Sequence, residues 1–219
     1  MLKLYGFCVS NYYNMVKLAL LEKGLSFEEV PFYPGTSPES LAISPRGKIP
    51  VLGVEQGFVN ETSVILEYLE QSQKGTPLLP SEPFERAQAL ALAKEIELYI
   101  ELPARACYPE AFFGMSVPEA IKDKTKAELL LGFASLGRHG KFAPYVAGDR
   151  LSIADLYFLY SVPMACAVAQ KLFDIDPLAE MPAAKALLER LGQNPNVQRI
   201  AADKDASMPA FLAMIASKK

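Results

Sequence analysis

The stretch KIPVLGVEQGFVNET, from Lys48 to Thr62, decides the fold of the first part of this sequence. Residues 49–54 are apolar and β-branched and predict a strand, residues 55–57 predict a turn, and the apolar pair after the turn predicts a returning strand. Pro50 is unusual in such a run, because proline cannot donate a hydrogen bond to a neighbouring strand. Two explanations stay open: an edge strand, or a cis Ile49–Pro50 bond that turns the Ile49 backbone outward to pair with an extended peptide ligand.

Glu61 and Thr62 close this stretch and lead into an amphipathic run, ending at Gln71, that predicts a helix. Thr62 is placed as the N-cap of that helix, where its hydroxyl and the N–H groups of the first turn can bind an anion. Glu61 beside it can accept a cation. The pair therefore suits the carboxylate and the ammonium of one α-amino acid group, or it is an ordinary helix cap.

The residues before this stretch alternate between strand and helix patterns. The predicted elements are strands at 2–7 and 27–32 and helices at 14–23 and 40–43. With the hairpin and the helix that follow, the order is βαβα and then ββα. Ser10 lies between the first strand and the first helix, where its hydroxyl can donate to an anion or simply cap the helix. Asn11 and the helix N-terminus add to the field at that point.

Residues 73–84, QKGTPLLPSEPF, contain three prolines and one glycine and predict a linker. We therefore divide the chain into a domain at 1–75, a linker at 76–84 and a second domain at 85–219. The second domain lacks strand periodicity, so its predicted class is all-α. Its helices are predicted at 84–107, 118–136, 153–171 and 183–191 and in a shorter C-terminal segment.

Composition narrows the function classes. The 219 residues are 51% hydrophobic with a net charge of −3, so the chain can bury a core and lacks the basic excess that nucleic acid binding requires. Three cysteines show no paired spacing, and the single histidine, His139, is expected in an exposed loop, so we expect no metal site. The apolar run 156–169 is too short to cross a bilayer and predicts a buried helix, and residues 1–14 are unlike a signal peptide. We expect a cytoplasmic protein that binds neither membranes nor nucleic acid.

A further motif, LSIADL, lies in the helical part and contains Ser152 and Asp155. Their spacing is that of a capping box, in which each side chain accepts a hydrogen bond from the other residue's backbone N–H. Together with Ser10, the run at 48–52 and the pair at 61–62, this motif resembles the glutathione transferase superfamily. The resemblance extends over the whole chain.

The resemblance implies a thioredoxin-like α/β domain followed by an all-α helical domain, in a homodimer, with glutathione as co-substrate and no further cofactor. It implies that Thr62 holds the γ-glutamyl carboxylate of glutathione and that Glu61 holds its ammonium. Ile49 is implied to pair through its backbone with the cysteinyl unit, with Pro50 cis. Lys48 is implied to bind the glycyl carboxylate.

By the same resemblance, Ser10 donates a hydrogen bond to the glutathione thiolate, which attacks a hydrophobic electrophile. The sequence departs from the serine-type pattern at the next position, where Asn11 replaces the common proline. Tyr12 and Tyr13 follow, and a tyrosine hydroxyl is the alternative thiolate donor, as in other branches of the family. Cys8 lies two residues before the position of the thiol in cysteine-type members, which argues against disulfide exchange.

Tyr108 and Phe112 are expected late in the first long helix of the second domain, where they line the electrophile pocket or belong to the core. Retention of the serine, proline and Glu-Thr set favours an enzyme that conjugates glutathione. Two other hypotheses stay open: a non-catalytic scaffold with this fold, and a carrier of apolar ligands. Titration of the glutathione thiol separates the first hypothesis from the other two.

Overall fold

The computed structural model describes residues 1–72 and 75–216. The chain forms two compact units. The first unit contains the residues up to Pro77 together with those from Gly192 onward, and the second unit contains Leu78–Leu191. The break between Pro77 and Leu78 falls inside the linker predicted at 76–84.

The first unit is built on a four-stranded mixed sheet. Its strands are β1 (Leu2–Gly6), β2 (Phe27–Pro31), β3 (Val51–Val54) and β4 (Gly57–Asn60). The strand order is β2-β1-β3-β4, with β1 parallel to β2 and the other two pairs antiparallel. The helices interleaved with these strands are α1 (Asn11–Glu22), α2 (Pro38–Ile43) and α3 (Thr62–Ser72). The predicted order of strands and helices in the α/β part is confirmed.

Helix α1 begins at Asn11, three residues before the predicted start. The Ser10 hydroxyl accepts the Tyr13 N–H at 3.3 Å, so the turn that follows Ser10 is already helical. The middle turns of α1 are buried throughout, and two of their residues, Asn14 and Lys17, are polar. Because buried polar groups are stable only when they are hydrogen-bonded, both residues need partners inside the first unit.

The second unit consists of helices, with no strand among its described residues. They are α4 (Pro83–Ile96), α5 (Leu102–Ala106), α6 (Tyr108–Phe113), α7 (Glu119–His139), α8 (Ile153–Phe173) and α9 (Pro182–Gly192). A five-residue π-helical segment, Glu97–Glu101, joins α4 to α5. The all-α class predicted for this part of the chain is confirmed.

The single long helix predicted at 84–107 is wrong in its second half. The Leu102 N–H donates to the Glu97 carbonyl five residues earlier, which widens the helix into a π turn. Pro103 comes next and has no N–H for an α-helical hydrogen bond. Pro109 lies in the first turn of a further short helix for the same reason.

His139 was expected in an exposed loop, and this is wrong. It is the last residue of α7 and is half-buried. Its Nδ1 lies 3.0 Å from Glu95 Oε1 and its Nε2 lies 2.8 Å from Gln88 Oε1. Because Glu95 and Gln88 both lie on α4, the imidazole links α7 to α4 and belongs to the packing of the second unit.

Helix α8 is the apolar centre of the second unit. In the described part of the chain it is the one helix that is long and apolar enough to cross a membrane, and 61% of its most apolar window is buried inside the protein. The prediction of a buried helix here is confirmed. Pro163 lies inside α8 without ending it, and Ser152 and Asp155 form the predicted capping box at its start.

Asp155 is buried beneath this cap. One carboxylate oxygen accepts the Val146 N–H at 2.8 Å, and the other accepts the Ser152 N–H at 2.8 Å and the Ser152 hydroxyl at 2.9 Å. Burial raises the pKa of Asp155 to about 6, although these hydrogen bonds act in the opposite direction. The ordinary pKa of the same carboxyl is 3.8.

This pKa difference makes stability depend on pH. Because folded Asp155 binds its proton more tightly than the unfolded chain does, its contribution to stability is full below pH 3.8 and is lost as the pH rises through about 6. Relative to Asp155→Asn, we expect the wild-type protein to lose up to about 3 kcal/mol of unfolding free energy between about pH 4 and about pH 7. Urea unfolding at a series of pH values measures this difference. A constant difference would show that the hydrogen bonds offset the effect of burial on the pKa, and a difference that grows in favour of the wild-type protein as the pH rises would show that they outweigh it.

The C-terminal helix, α10 (Pro195–Ala216), packs with the first unit. Lys17 Nζ donates to Asp203 Oδ2 on α10 at 2.7 Å and to Glu29 Oε2 on β2 at 2.8 Å, and the Lys17 side chain is only 1% exposed. The predicted division placed all of residues 85–219 in the second domain. The residues from 192 onward instead join the first unit, because its buried cation requires carboxylates and α10 supplies one of them.

Candidate functional site

The predicted site residues of the first unit come from one edge of the sheet. Val51, the first residue of β3, pairs with Tyr5 near the end of β1 and with Asn60 at the end of β4. Strands β1 and β4 therefore end where β3 begins. The segments after β1, before β3 and after β4, which carry the predicted residues, lie side by side at this edge.

Ser10 caps α1 at this edge. Its backbone N–H donates to the Phe7 carbonyl at 3.1 Å and closes the turn after β1, while its Oγ accepts the Tyr13 N–H. A hydroxyl that accepts a hydrogen bond still has its own proton to donate. The N-terminus of α1 adds a positive partial charge. Ser10 can therefore donate to an anion bound at the start of α1.

The three residues after Ser10 form the first turn of α1. Asn11 and Tyr12 are half-buried, whereas Tyr13 is fully buried. The Tyr13 hydroxyl donates to Glu29 Oε2 at 2.6 Å, and burial together with this hydrogen bond raises the pKa of Tyr13. Its phenol is thus held as a neutral donor to Glu29, which leaves Tyr12 as the tyrosine alternative to Ser10.

The segment before β3 contains the predicted peptide-binding residues. The Ile49–Pro50 bond is cis, which confirms the geometry implied by the resemblance. Ile49 precedes the first paired residue of β3, so its N–H and C=O lie outside the ladder of that strand and can pair with an extended ligand. Lys48 is exposed, and its N–H donates to the Oγ of buried Ser44 at 2.9 Å.

The turn before Lys48 is fixed by a close backbone contact. Gly47 has a φ of 58°, and its carbonyl accepts the Gly35 N–H at 3.1 Å. A Cβ at Gly47 would overlap the Gly35 carbonyl oxygen, so a side chain does not fit there. Ser44 and Gly47 were not predicted from the sequence as supports of this segment. Their signal is the Ser-Pro-x-Gly spacing, which is typical of a turn.

Glu61 has a left-handed backbone, with a φ of 66°, which is rare for a residue with a side chain. Its carbonyl accepts the Ile65 N–H at 2.9 Å, so Glu61 is the N-cap of α3 and Thr62 is the first helical residue. The prediction that Thr62 is the N-cap is therefore wrong by one position. Glu61 is exposed and Thr62 is buried. Strained residues of this kind cluster at binding and catalytic sites.

Tyr108 and Phe112 lie in the short helix α6 of the second unit, not late in its first long helix. The Tyr108 hydroxyl donates to Glu101 Oε2 at 3.0 Å, and Arg105 also donates to Glu101. The Phe112 ring centroid lies 5.2 Å from that of Tyr108, and Lys171 Nζ lies 4.9 Å from it. Tyr108 is buried and belongs to the core of the second unit, whereas Phe112 keeps part of its surface exposed.

The free thiols and the possible metal ligands were compared with the site residues predicted from the sequence. Among the described residues, no group of three or more His, Cys, Asp or Glu side chains is placed to hold a metal ion. Cys8, Cys107 and Cys166 are free thiols, and burial raises the pKa of Cys166 to about 12. Cys8 lies in the turn before Ser10, where its carbonyl accepts the Asn14 side-chain amide at 2.8 Å.

The sequence of this chain is similar to those of known glutathione S-transferases. Residues 4–77 match the family described as "Glutathione S-transferase, N-terminal domain". The chain is 64% identical over 219 residues to a glutathione S-transferase of Pseudomonas putida, covering 100% of both chains. It is 30% identical to a zeta class glutathione S-transferase of Euphorbia esula, covering 95% of this chain and 94% of that one.

Among solved structures, the chain is similar to a maleylacetoacetate isomerase from Methylobacterium extorquens with bound malonate and GSH. The TM-score is 0.71 at 29% identity, and the match covers 90% of this chain and 95% of that one. The sequence matches and the structural match both cover the thioredoxin-like α/β part of the chain, and the full-length matches also cover its helical part. The chain therefore belongs to the glutathione S-transferase family of enzymes.

Proposed function

We propose that this enzyme holds glutathione along the sheet edge and ionises its thiol beside Ser10, so that the thiolate attacks a hydrophobic electrophile. The observation that carries the proposal is the Ser10 hydroxyl at the N-terminus of α1, where it accepts a helix N–H and keeps its own proton to donate. The thiol proton leaves to solvent. The sulfur electron pair then forms the bond to the electrophilic carbon, and the leaving group takes the displaced pair. Glutathione is the co-substrate, and the proposal requires no other cofactor.

The energetics of thiol ionisation are within reach of these groups. A free thiol has a pKa of about 8.5, so only a few per cent is ionised at about pH 7. Lowering that pKa by about 2 units requires about 2.7 kcal/mol of preference for the thiolate. A hydrogen bond to a charged group supplies about 1.5–3 kcal/mol and a helix N-terminus about 0.3–1 kcal/mol. Ser10 and α1 together can therefore supply the shift.

The other residues at this edge suit the rest of the tripeptide. We assign the γ-glutamyl carboxylate to Thr62 in the first turn of α3, where a helix N-terminus favours an anion. The exposed carboxylate of Glu61 suits the neighbouring ammonium. The cysteinyl unit pairs with the Ile49 backbone as an added strand does, and the exposed ammonium of Lys48 binds the glycyl carboxylate.

The variant Glu61→Asn tests this assignment by separating binding from stability. Asparagine adopts the left-handed conformation more readily than glutamate, so we expect the free energy of unfolding to stay within about 1 kcal/mol of wild type. Loss of the carboxylate should raise the Kd for glutathione about 10- to 100-fold, measured by titration calorimetry. Glu55→Gln, in the exposed β3–β4 turn, is the matched control and should bind normally. If Glu61→Asn binds glutathione as tightly as wild type, Glu61 does not hold the ammonium.

We assign the electrophile contacts in the second unit to Phe112 rather than Tyr108. The Phe112 ring keeps an exposed part and is apolar, so it suits a hydrophobic electrophile. The Tyr108 hydroxyl is already bonded to Glu101 and the residue is buried. A screen of hydrophobic electrophiles as substrates would identify the one that this enzyme uses.

We further propose a homodimer located in the cytoplasm. Leu98, Tyr99 and Leu102 are each almost half exposed at the junction of the π segment and α5, and Leu131 is more exposed still. The backbone of Gly132 packs on the Tyr99 carbonyl, so Leu131 lies near this apolar surface. Exposed apolar surfaces of this kind are typical of subunit interfaces. Light scattering supports the proposal if it gives the mass of two chains and contradicts it if it gives one.

The names of two relatives favour a second candidate reaction, cis–trans isomerisation. The solved isomerase is 29% identical to this chain, and a maleylacetoacetate isomerase of Rhizobium meliloti is 28% identical over 92% of it. A thiolate that adds to a conjugated cis double bond allows rotation about the resulting single bond. Its departure then restores the double bond as trans and regenerates the thiolate. The same Ser10 contact would serve this reaction.

Titration of bound glutathione tests the proposed function. The ultraviolet absorption of the thiolate is followed against pH with the purified protein. A thiol that titrates about 2 units below the free one supports the proposal. Turnover of an activated aryl chloride or of maleylacetoacetate then identifies the reaction. A bound thiol with an unshifted pKa favours an apolar-ligand carrier, and no binding favours a non-catalytic scaffold; both outcomes contradict the proposal.

A further inference from the structure

Asn14, in the first turns of α1, makes hydrogen bonds to two residues of the turn between β1 and α1, Cys8 and Ser10. Its Nδ2 donates to the Cys8 carbonyl at 2.8 Å, and its backbone N–H donates to the Ser10 carbonyl at 3.0 Å. The Ser10 N–H in turn donates to the Phe7 carbonyl at 3.1 Å. These bonds leave the turn between β1 and α1 little freedom, and one of them depends on the side chain of Asn14.

The environment of Asn14 indicates that packing alone does not explain this residue. The side chain is 1% exposed, and its Oδ1 is buried without a hydrogen-bond partner among the described residues. A buried acceptor without a partner costs free energy. Turning the amide over does not help, because Oδ1 would then face the Cys8 carbonyl oxygen. An apolar side chain, of the kind that Met15 and Val16 bury next to it, would fill this space without leaving a buried Oδ1 unpaired.

We propose that Asn14 is a positioning residue for Ser10: by holding the Cys8 carbonyl it fixes the direction in which the Ser10 hydroxyl donates. This inference rests on the proposed function, because Asn14 has this role only if Ser10 stabilises a thiolate. Hydrogen bonds weaken steeply as their angle departs from linear, so a small displacement of the turn is enough to reduce that stabilisation. The groups that hold the rest of glutathione lie on other segments. Asn14 therefore acts on the reactivity of the thiol and not on the affinity for the tripeptide.

Two substitutions remove the side-chain donor. Asn14→Leu makes the side chain apolar, and Asn14→Ala shortens it to a methyl group and serves if the leucine variant does not fold. In both we expect the pKa of the bound thiol to rise by about 1 unit and kcat to fall about fivefold at about pH 6.5, because the ionised fraction of the thiol falls from about one half to about one tenth. The Kd for S-methylglutathione, which has no thiol to ionise, should change less than about twofold. Asn14→Gln keeps the amide and should recover part of the lost activity.

Val16→Ala is the matched control. Val16 is fully buried on the same helix, so its truncation loosens α1 without removing a hydrogen bond to the turn, and its bound thiol should titrate as in wild type. If the thiol pKa is unchanged in Asn14→Leu and Asn14→Ala, or rises equally in Val16→Ala, the inference is overturned. A thiol pKa that is lowered in the wild-type protein would still support the proposed function in that case. An unshifted thiol in the wild-type protein overturns both.

Discussion

Replacing Ser10 by alanine is expected to lower kcat/KM for conjugation about 10- to 100-fold, because it removes a charged hydrogen bond worth about 1.5–3 kcal/mol. The pKa of bound glutathione should return toward the free value of about 8.5. Alanine also removes the N-cap of α1, so the free energy of unfolding should fall by about 0.5–2 kcal/mol. Ultraviolet titration of the bound thiol and steady-state kinetics measure the first two effects, and urea unfolding measures the third.

Two further variants assign the effect to one hydroxyl. Ser10→Thr keeps both the hydroxyl and the cap and should retain most of the activity. Tyr12→Phe removes the alternative hydroxyl and should retain nearly full turnover. If Ser10→Ala is almost fully active while Tyr12→Phe is not, the thiolate contact belongs to Tyr12. Tyr13→Phe should affect stability more than catalysis, because the Tyr13 hydroxyl is bonded to Glu29.

Features determined by residues close together in the chain could be predicted from the sequence. The capping box of Ser152 and Asp155 depends on a three-residue spacing, and its hydrogen bonds form within that spacing. The cis bond at Pro50 could be predicted because a proline in an apolar run allows the backbone few conformations. The family resemblance selects one of them. Most of the sheet edge that carries the candidate site follows from such local signals.

Features that depend on distant residues could not be predicted in this way. Lys17 occupies an ordinary helical position in the sequence, and its partner Asp203 lies 186 positions away. Nothing local indicates that this lysine is buried or that the C-terminal helix joins the first unit. The left-handed backbone of Glu61 also lacks a signal, because glutamate is not a residue that this conformation favours. The support that Asn14 gives to Ser10 is missed for a related reason, since a polar residue in a helix pattern normally indicates an exposed face.

Breaking the ion pair between Lys23 and Glu70 is expected to reduce the free energy of unfolding by about 3–5 kcal/mol. Lys23 Nζ lies 2.7 Å from Glu70 Oε1, and the two side chains are only 2% and 5% exposed. The same ammonium donates to the Thr76 carbonyl at 3.2 Å. Lys23→Met therefore leaves a buried carboxylate and a carbonyl facing an apolar side chain. Because the chain has no tryptophan, urea unfolding is best followed by circular dichroism.

The exposed pair Lys3–Glu28 is the matched control. Its charged atoms lie 3.0 Å apart but both side chains are well exposed, so Lys3→Met should cost less than about 1 kcal/mol. A loss in Lys23→Met as small as this would show that Glu70 is hydrated. The double variant K23M/E70L should recover most of the stability, because removing both charges also removes their desolvation penalty.

Such recovery would mean that the buried Lys23–Glu70 pair adds little to stability and serves mainly to fix the position of α1 relative to α3. Lys23 is the C-cap residue of α1, and Ser10 is the N-cap residue of the same helix. A shift of α1 against α3 would therefore displace the proposed thiolate contact. We expect K23M/E70L to keep its fold but to show a higher pKa for bound glutathione than wild type. An unchanged thiol pKa in that variant would confine the role of the pair to stability.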